Sequence, residues 1–142
     1  MKTTHQVFFG DARDLGPVTD ESVNLIVTSP PYPMIEMWDG AFAGMNPRVE
    51  SALADNDGTG AFELMHLELD KVWQECFRVL RIGGLACVNI GDAVRTSGDY
   101  FQMYSNHARI IQAMGAIGFV QLPDILWRKP TNAPNKFMGS GM

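Results

Sequence analysis

Hydrophobic and polar residues along this chain form short apolar runs, bounded by turn residues, that alternate with longer stretches of helical spacing. The apolar runs predict strands at residues 6–9, 23–28, 85–90 and 119–127. Between the second and third runs, apolar residues recur three or four positions apart. This spacing predicts a helix over residues 62–80, which Gly83 and Gly84 would end.

A second helix is predicted over residues 100–114, with Gly115 and Gly118 at its end. Residues 33–60, in contrast, are rich in glycine, asparagine and aspartate and show no sustained period, which is typical of a long functional loop. Strands that alternate with helices of this length imply βαβ units. We therefore expect an α/β domain with a mainly parallel sheet and helices on both faces.

The composition is that of one compact domain. The chain has 142 residues, 46% of them hydrophobic and 19% charged, so it can bury a core but is too short for two ordinary domains. A net charge of -5 argues against a protein that grips nucleic acid over its whole surface, although Arg128, Lys129 and Lys136 form a local basic group. The sequence has no long apolar run and no signal-peptide core, so we expect no membrane span and a cytoplasmic location.

The cysteines and histidines follow no pattern of a disulfide framework or metal site. Cys76 and Cys87 lie in apolar segments and form no CxxC pair, which predicts free thiols in a reducing compartment. His5, His66 and His107 are far apart and match no ligand spacing. The sequence therefore predicts no metal.

Polar residues follow three of the predicted strands. Gly10-Asp11 follows the first strand, residues 28–32 follow the second and residues 89–92 follow the third. Parallel strands bring their carboxyl ends to one edge of a sheet, where open α/β sheets bind ligands. Taken alone, Asp11 is more often a turn residue and Asp92 a helix-capping acid, but together these groups predict a site at that edge.

The tetrapeptide Ser29-Pro30-Pro31-Tyr32 predicts a slot for a flat polar group. The prolines fix φ and remove amide donors, so the turn is rigid and the carbonyls before it point in set directions. The Ser29 hydroxyl and a prolyl carbonyl can accept hydrogen bonds from an amino group while the Tyr32 ring stacks. A plain Pro-Pro turn is the alternative, which the position at the end of a buried strand disfavours.

Thr28-Ser29-Pro30-Pro31-Tyr32 resembles the catalytic motif of the DNA amino-methyltransferases, which methylate exocyclic nitrogens of DNA bases with S-adenosylmethionine. Residues 9–12 and 22–27 match the lead-in to that motif, with Asn24 where the family commonly has Asp. Residues 79–89 resemble the helix-Gly-strand unit of the family, and residues 125–130 resemble its I-x-W-x-K segment. The resemblance covers nearly the whole chain.

The resemblance implies a mechanism. The target base is flipped out of the duplex, and its amino group donates hydrogen bonds to Ser29 and the Pro30 carbonyl, which localises the nitrogen lone pair. Tyr32 stacks on the base, and the methyl group is transferred directly, without a metal or a covalent cysteine intermediate. The residues assigned by family position are Ser29, Pro30, Pro31 and Tyr32 for catalysis, Asp11, Ala12 and Thr28 for the cofactor, and Asn89, Asp92, Arg128 and Lys129 for the DNA.

Ser29 favours N4 of cytosine as the target, since Asp or Asn before Pro-Pro-Tyr is more typical of the enzymes that methylate N6 of adenine. Adenine-N6 methylation is the alternative. Some cytosine-N4 enzymes carry an acid in the following strand where this chain has Asn89, so no proton relay is assigned to that residue.

The family also needs a Gly-rich cofactor loop after a strand, and only 28 residues precede Ser29. In the circularly permuted (beta) class the catalytic half comes first. The resemblance therefore implies a partial Rossmann-like methyltransferase fold in a single domain that lacks the cofactor half. Residues 130–142 would begin the recognition region or a linker.

We expect a truncated chain or one part of a split enzyme, which binds S-adenosylmethionine weakly alone. Its exposed sheet edge would favour self-association or a complementary methyltransferase half. Two further alternatives stay open. One is an RNA or protein-glutamine methyltransferase, which uses a similar Asn-Pro-Pro-Tyr motif, and the other is a non-catalytic DNA-binding or interaction subunit derived from a methyltransferase.

Overall fold

The computed structural model describes residues 2–128, in which a long helix joins two parallel strands. The strands are β1 (Val23–Thr28), β2 (Leu80–Val88), β3 (Ala93–Ser97) and β4 (Tyr100–Tyr104). The helices are α1 (Asp39–Met45), α2 (Arg48–Ala54), α3 (Gly58–Val79) and α4 (Asn106–Ile117), and a 3-10 turn covers Glu36–Trp38. The predicted recognition region at residues 130–142 lies outside the described residues.

Strands β1 and β2 pair in parallel, with α3 as the connection, so the predicted βαβ unit is confirmed. The register aligns Leu25 with Leu85 and Thr28 with Val88. One residue further, the Asn89 N–H donates to the Thr28 carbonyl at 2.8 Å. The carboxyl ends of the two strands therefore lie side by side, and the residues that follow them emerge at the same edge.

The long helix α3 carries the core. Its buried apolar stripe follows the three- and four-residue spacing of an amphipathic helix and includes Met65, Leu69, Trp73 and Cys76. Asp57 caps the first turn, where its carboxylate accepts from the Gly60 N–H at 2.8 Å. The helix predicted over residues 62–80 is thus confirmed, and it begins one turn earlier than the apolar pattern indicated.

The prediction that Gly83 and Gly84 stop that helix was wrong, because both glycines lie inside β2. The helix ends at Val79, and the next residue is already extended. Strand pairing jumps from Val23–Leu80 to Leu25–Leu85. Gly83 has a φ of +78° within this irregularity, a backbone conformation that side chains with a Cβ rarely adopt. The two glycines therefore form a bulge in the strand.

Residues 33–60 were expected to be irregular, and this prediction was wrong. The segment contains the 3-10 turn, α1 and α2. Each helix has only seven residues, too few for a sustained period to stand out in the sequence. Phe42 in α1 and Val49 in α2 are fully buried, so tertiary packing rather than local propensity fixes these helices.

The helix predicted over residues 100–114 was wrong in its first part. β3 and β4 form an antiparallel hairpin whose turn contains Gly98 at a φ of +59°. Only α4, from Asn106 onward, is helical, and it runs past Gly115 to a C-cap at Gly118. The apolar positions at the start of the predicted helix also fit a period of two, so the sequence pattern did not distinguish a strand of the hairpin from a helix.

The strands predicted at residues 6–9 and 119–127 are not present in the part of the chain that the structure describes. Phe9 is 98% exposed and Ile125 is 95% exposed. A strand needs a neighbour that completes its hydrogen bonds, and neither segment pairs with an edge of the two-stranded β1–β2 sheet. Apolar composition alone was therefore a misleading signal for both segments.

The core lies between one face of the β1–β2 pair and the helices. Ile26 and Val88 pack against the buried core, whereas Leu25, Val27 and Leu85 point to the other face and are at least half exposed. Among the helices of residues 2–128, none combines the length and the apolar character that crossing a lipid bilayer requires.

Candidate active site

The turn after β1 holds the Ser-Pro-Pro-Tyr motif at the edge of the sheet. Ser29 is exposed, Pro30 is buried and Tyr32 is half-buried, so the hydroxyl faces solvent on a fixed backbone. Two residues after the motif, Met34 is buried with a φ of +67°, and its N–H donates to the Met65 sulfur at 3.3 Å. A positive φ strains the backbone of a residue other than glycine. The packing of Met34 against α3 must therefore hold this conformation in place.

Asn89, at the end of β2, joins the two sides of the motif. Its side-chain amide donates to the Ser29 hydroxyl at 3.3 Å and to the Tyr32 hydroxyl at 3.2 Å. Of the three polar segments predicted to meet at the sheet edge, residues 28–32 and 89–92 therefore do so, whereas no strand at residues 6–9 carries Asp11 there in the described chain. Because the Asn89 amide donates to Ser29 Oγ, the hydroxyl proton of Ser29 points away from Asn89. The second lone pair of Ser29 Oγ can then accept a further hydrogen bond.

Gly91, in the turn after β2, lies beside the Tyr32 ring. A Cβ at Gly91 would lie 3.4 Å from the nearest ring carbon of Tyr32. This is an ordinary van der Waals distance, so the turn after β2 lies close to the Tyr32 ring without crowding it.

Asp92 does not point freely into the site. Its carboxylate lies 2.8 and 2.9 Å from Nδ1 of His107 and accepts from the His107 N–H at 3.2 Å. The acid thus caps the start of α4, which is the capping role that sequence reasoning gave it by default. His107 was missed, because the helix was predicted to start well before it.

Asp11 contacts Arg13 through both carboxylate oxygens, with distances down to 2.6 Å, and Arg13 continues to the buried Glu68 at 2.7 Å. These hydrogen bonds from Arg13 hold the pKa of Asp11 below its usual range, so the acid is ionised at neutral pH. Ala12 beside it is exposed. The hydrogen bonds of Asp11 run toward α3 and not toward the motif turn.

Three of the predicted contact residues remain, Thr28, Arg128 and Lys129. Thr28 is the last residue of β1, and its carbonyl is already used by Asn89. Arg128 is exposed at the end of the described chain. Lys129 lies outside the described residues.

Two buried polar residues connect the helices to the site, and sequence reasoning missed both. His66 in α3 and Asn106 at the start of α4 are completely buried and lie 3.0 Å apart, from Nε2 to Oδ1. Burial lowers the pKa of His66 to about 4, so its imidazole is neutral at physiological pH. A polar residue on a helix carries no sequence signal of a contact made 40 positions away.

A wide cleft of about 1330 Å³ opens beside the site. It is lined by the exposed face of β1 and β2, by one side of α4 and by residues 119–127. Asn89 and His107 stand on its border. Most of its lining is aliphatic or aromatic, so the cleft can receive apolar surface more readily than a phosphate.

This chain is similar in sequence to known DNA methylases. Residues 23–140 match the family model described as DNA methylase, of the N6/N4 methyltransferase type. Over its full length the chain is 51% identical to the type II methyltransferase M.MthZI of Methanothermobacter thermautotrophicus. Over 99% of its length it is 47% identical to the type II methyltransferase M.MjaI of Methanocaldococcus jannaschii. It spans only 40% and 50% of these relatives, respectively.

The fold is also similar to that of a solved protein from Thermus thermophilus, classed as a candidate DNA modification methylase. Its structure in complex with S-adenosyl-L-methionine matches with a TM-score of 0.60 at 25% identity. The match covers 89% of this chain and 59% of the other. Sequence and structure comparisons therefore agree on the same group of proteins and on the same partial coverage.

Proposed function

Because this chain belongs to the N6/N4 DNA methylase family, we propose that it is the catalytic half of an S-adenosylmethionine-dependent DNA amino-methyltransferase. The observation that carries the proposal is the meeting of Ser29, Tyr32 and Asn89 at one sheet edge, with contacts of 3.2 and 3.3 Å. The partial coverage of both relatives supports the view that further chain completes the enzyme.

The chemistry follows from the electronic state of the target nitrogen. An exocyclic amino group of a base is a poor nucleophile, because its lone pair is delocalised into the ring. Hydrogen bonds from its two protons to Ser29 Oγ and the Pro30 carbonyl draw the group out of conjugation, and Tyr32 holds the flipped base by stacking. Asn89 keeps Ser29 and Tyr32 in register, so the site is preorganised before the base enters.

S-adenosylmethionine, when bound, supplies an electrophilic methyl group on a sulfonium centre. The side chains present fit only part of such a cofactor. Thr28 and the ionised Asp11 are polar groups that can receive it, but Asp11 is already bonded to Arg13. Gly83 and Gly84 form a strand bulge rather than a cofactor loop. We therefore propose that the chain alone binds the cofactor weakly and that the complementary half supplies the rest of the site.

Cytosine N4 is the target we favour, and adenine N6 is the alternative. A neutral serine before Pro-Pro-Tyr accepts hydrogen bonds without adding a charge, and the cytosine-N4 enzymes use this residue at the corresponding place. The RNA and protein-glutamine alternatives lose support from the match to a DNA methylase family. A non-catalytic subunit is an outcome that a methylation assay distinguishes.

The test is methylation of DNA by this chain together with a complementary half, with separation of N4-methylcytosine from N6-methyladenine in the digested product. We expect N4-methylcytosine, reduced about 100-fold or more in Ser29→Ala, as for loss of an active-site hydrogen bond to a developing charge. Ser51→Ala, at an exposed serine on α2, is the matched control and should leave the rate unchanged. N6-methyladenine would overturn the choice of base, and full activity of Ser29→Ala or no methylation at all would overturn the catalytic proposal.

A further inference from the structure

The side chain of Asn106 lies between the two turns that carry the candidate site. Its amide nitrogen donates to the Pro33 carbonyl at 3.1 Å and to the Gly91 carbonyl at 3.0 Å. Pro33 directly follows Tyr32, and Gly91 comes two residues after Asn89. One completely buried amide therefore bridges the turn after β1 and the turn after β2.

The direction of the Asn106 amide is set by chemistry. Two backbone carbonyls can only accept, so the NH₂ group must face them and the oxygen must face His66. The oxygen then accepts from Nε2–H of His66 at 3.0 Å. Nδ1 of His66 is buried without a hydrogen-bond partner in the described structure, so a proton there would be unsatisfied and the imidazole is held as one neutral tautomer.

From this geometry we infer that Asn106 is a positioning residue that fixes the separation of the two turns, so that Asn89 reaches both Ser29 and Tyr32. The inference rests on the proposed function for its catalytic meaning. His66 supports it from behind by fixing the amide orientation.

Attachment of α4 to the fold does not depend on this bridge. Arg109, one turn further along α4, bonds to Asp70 at 2.8 Å and to Glu63 at 3.0 Å on α3. Asp92 also caps the start of α4 through His107. Asn106 differs from these contacts because it alone among the three attachments reaches the carbonyl next to Tyr32.

The test is solution NMR of the 142-residue chain, reading the side-chain amide of Asn89 and the ring of Tyr32. Asn106→Ala should shift or broaden both sets of signals, because the two turns are no longer joined. Arg109→Gln is the matched control, since it removes an anchor from the same helix without touching the turns. It should lower the melting temperature and leave both signals in place. Unchanged Asn89 and Tyr32 signals in a folded Asn106→Ala protein would overturn the inference.

The parent protein provides a second measurement that holds even where Asn106→Ala does not fold. The side-chain NH₂ of Asn106 should exchange with solvent far more slowly than that of the exposed Asn24, and it should show couplings across the hydrogen bonds to the Pro33 and Gly91 carbonyl carbons. Exchange as fast as that of Asn24 would contradict the bridge. Neither measurement needs methyl transfer, so a chain that fails the DNA assay but passes these tests keeps the bridge and loses only the proposed function.

In an active preparation with a complementary half, a positioning role predicts a specific kinetic pattern. Asn106→Ala should lower kcat with little change in KM for DNA, since the bridge orients groups that act on the flipped base. Arg109→Gln should change neither once the protein is folded. An effect of Asn106→Ala confined to KM would argue against positioning.

Discussion

The two faces of the β1–β2 pair are covered very differently, although residues alternate regularly between them. Ile26 and Val88 on the inner face pack against the buried core, while Leu25, Val27 and Leu85 on the outer face are 53%, 73% and 50% exposed. The inner side also holds the buried His66–Asn106 pair that reaches the site. In the described chain, the inner face therefore packs against the core that supports the candidate site. The outer face is an exposed apolar surface against which another element can pack.

The outer face is the region where we expect the complementary half, or a second copy of the chain, to pack. A sheet with two strands has two open edges, and its apolar face is covered in known α/β folds by further structure. The two relatives are about two to two and a half times as long as this chain, and we expect part of their additional sequence to cover the corresponding face. Substitutions on the outer face should therefore affect association, and those on the inner face should affect folding.

The largest effect on stability should follow from truncating a buried side chain on the inner side. Trp73→Ala removes a fully buried ring from the centre of α3 and should destabilise the protein by about 3–5 kcal/mol, which is enough to unfold a marginal domain. Val27→Ala on the outer face should change the free energy of unfolding by less than about 0.5 kcal/mol. Urea denaturation followed by circular dichroism measures both. Similar losses for the two variants would show that the faces are not distinct.

The buried histidine makes the inner side sensitive to acid. Burial lowers the pKa of His66 from 6.5 to about 4, with Arg109 also disfavouring the charged form and Asn106, Asp70 and Glu63 opposing. The unfolded chain therefore binds the proton more readily than the folded one, and stability falls as the pH drops from about 6.5 toward 4. The full loss from this group amounts to about 3 kcal/mol.

Equilibrium denaturation between about pH 7 and about pH 4.5, which spans most of the range between the two pKa values of His66, tests this contribution. The window lies above the range where the ion-paired Glu75 gains its proton, since hydrogen bonds from Arg78 lower the pKa of that acid to about 2. His66→Gln retains a donor for Asn106 and removes the titrating ring, so its stability should vary less over the window. An equally steep dependence in His66→Gln would assign the acid sensitivity to another group.

The sequence predicted the centre of the molecule better than its borders. β1 was predicted with the correct bounds, α3 was predicted to within about one turn, and the strand ends that carry Ser29, Tyr32 and Asn89 were predicted to meet. In these parts of the chain the local sequence pattern and the tertiary packing agree. Residues 100–104 and 119–127 were misassigned and β3 was missed, because isolated apolar residues fit several periods when no partner strand is specified.

The bridge through Asn106 could not have been predicted from the sequence. Its partners lie 73, 40 and 15 positions away, and only the packed fold brings them together. The motif residues, in contrast, are consecutive and carry their own chemistry. The sequence therefore identifies the reacting groups more readily than it identifies the groups that position them.

A smaller effect is expected from charging the outer face. Val27→Glu places a carboxylate at the centre of the exposed apolar surface and should weaken self-association or pairing with a complementary half by about tenfold or more. The stability of the monomer should stay within about 0.5 kcal/mol, since the side chain is mostly in solvent. Light scattering over a concentration series measures the first quantity. If the parent chain stays monomeric at high concentration and binds no complementary half, the outer face is not an association surface and the prediction is wrong.

The smallest change uses the two cysteines as reporters of the two faces. Cys87 lies opposite Val27 on the outer face and is exposed, whereas Cys76 is buried in α3, where burial raises the pKa of its thiol to about 11. At about pH 8 a thiol-specific reagent should modify Cys87 rapidly and Cys76 at least about 100-fold more slowly, because the thiolate is the reacting form and access is blocked. Addition of a complementary half should then slow Cys87 alone. Slowing of both thiols would indicate a general tightening of the fold, whereas a selective effect on Cys87 locates the interface on the outer face without altering any residue.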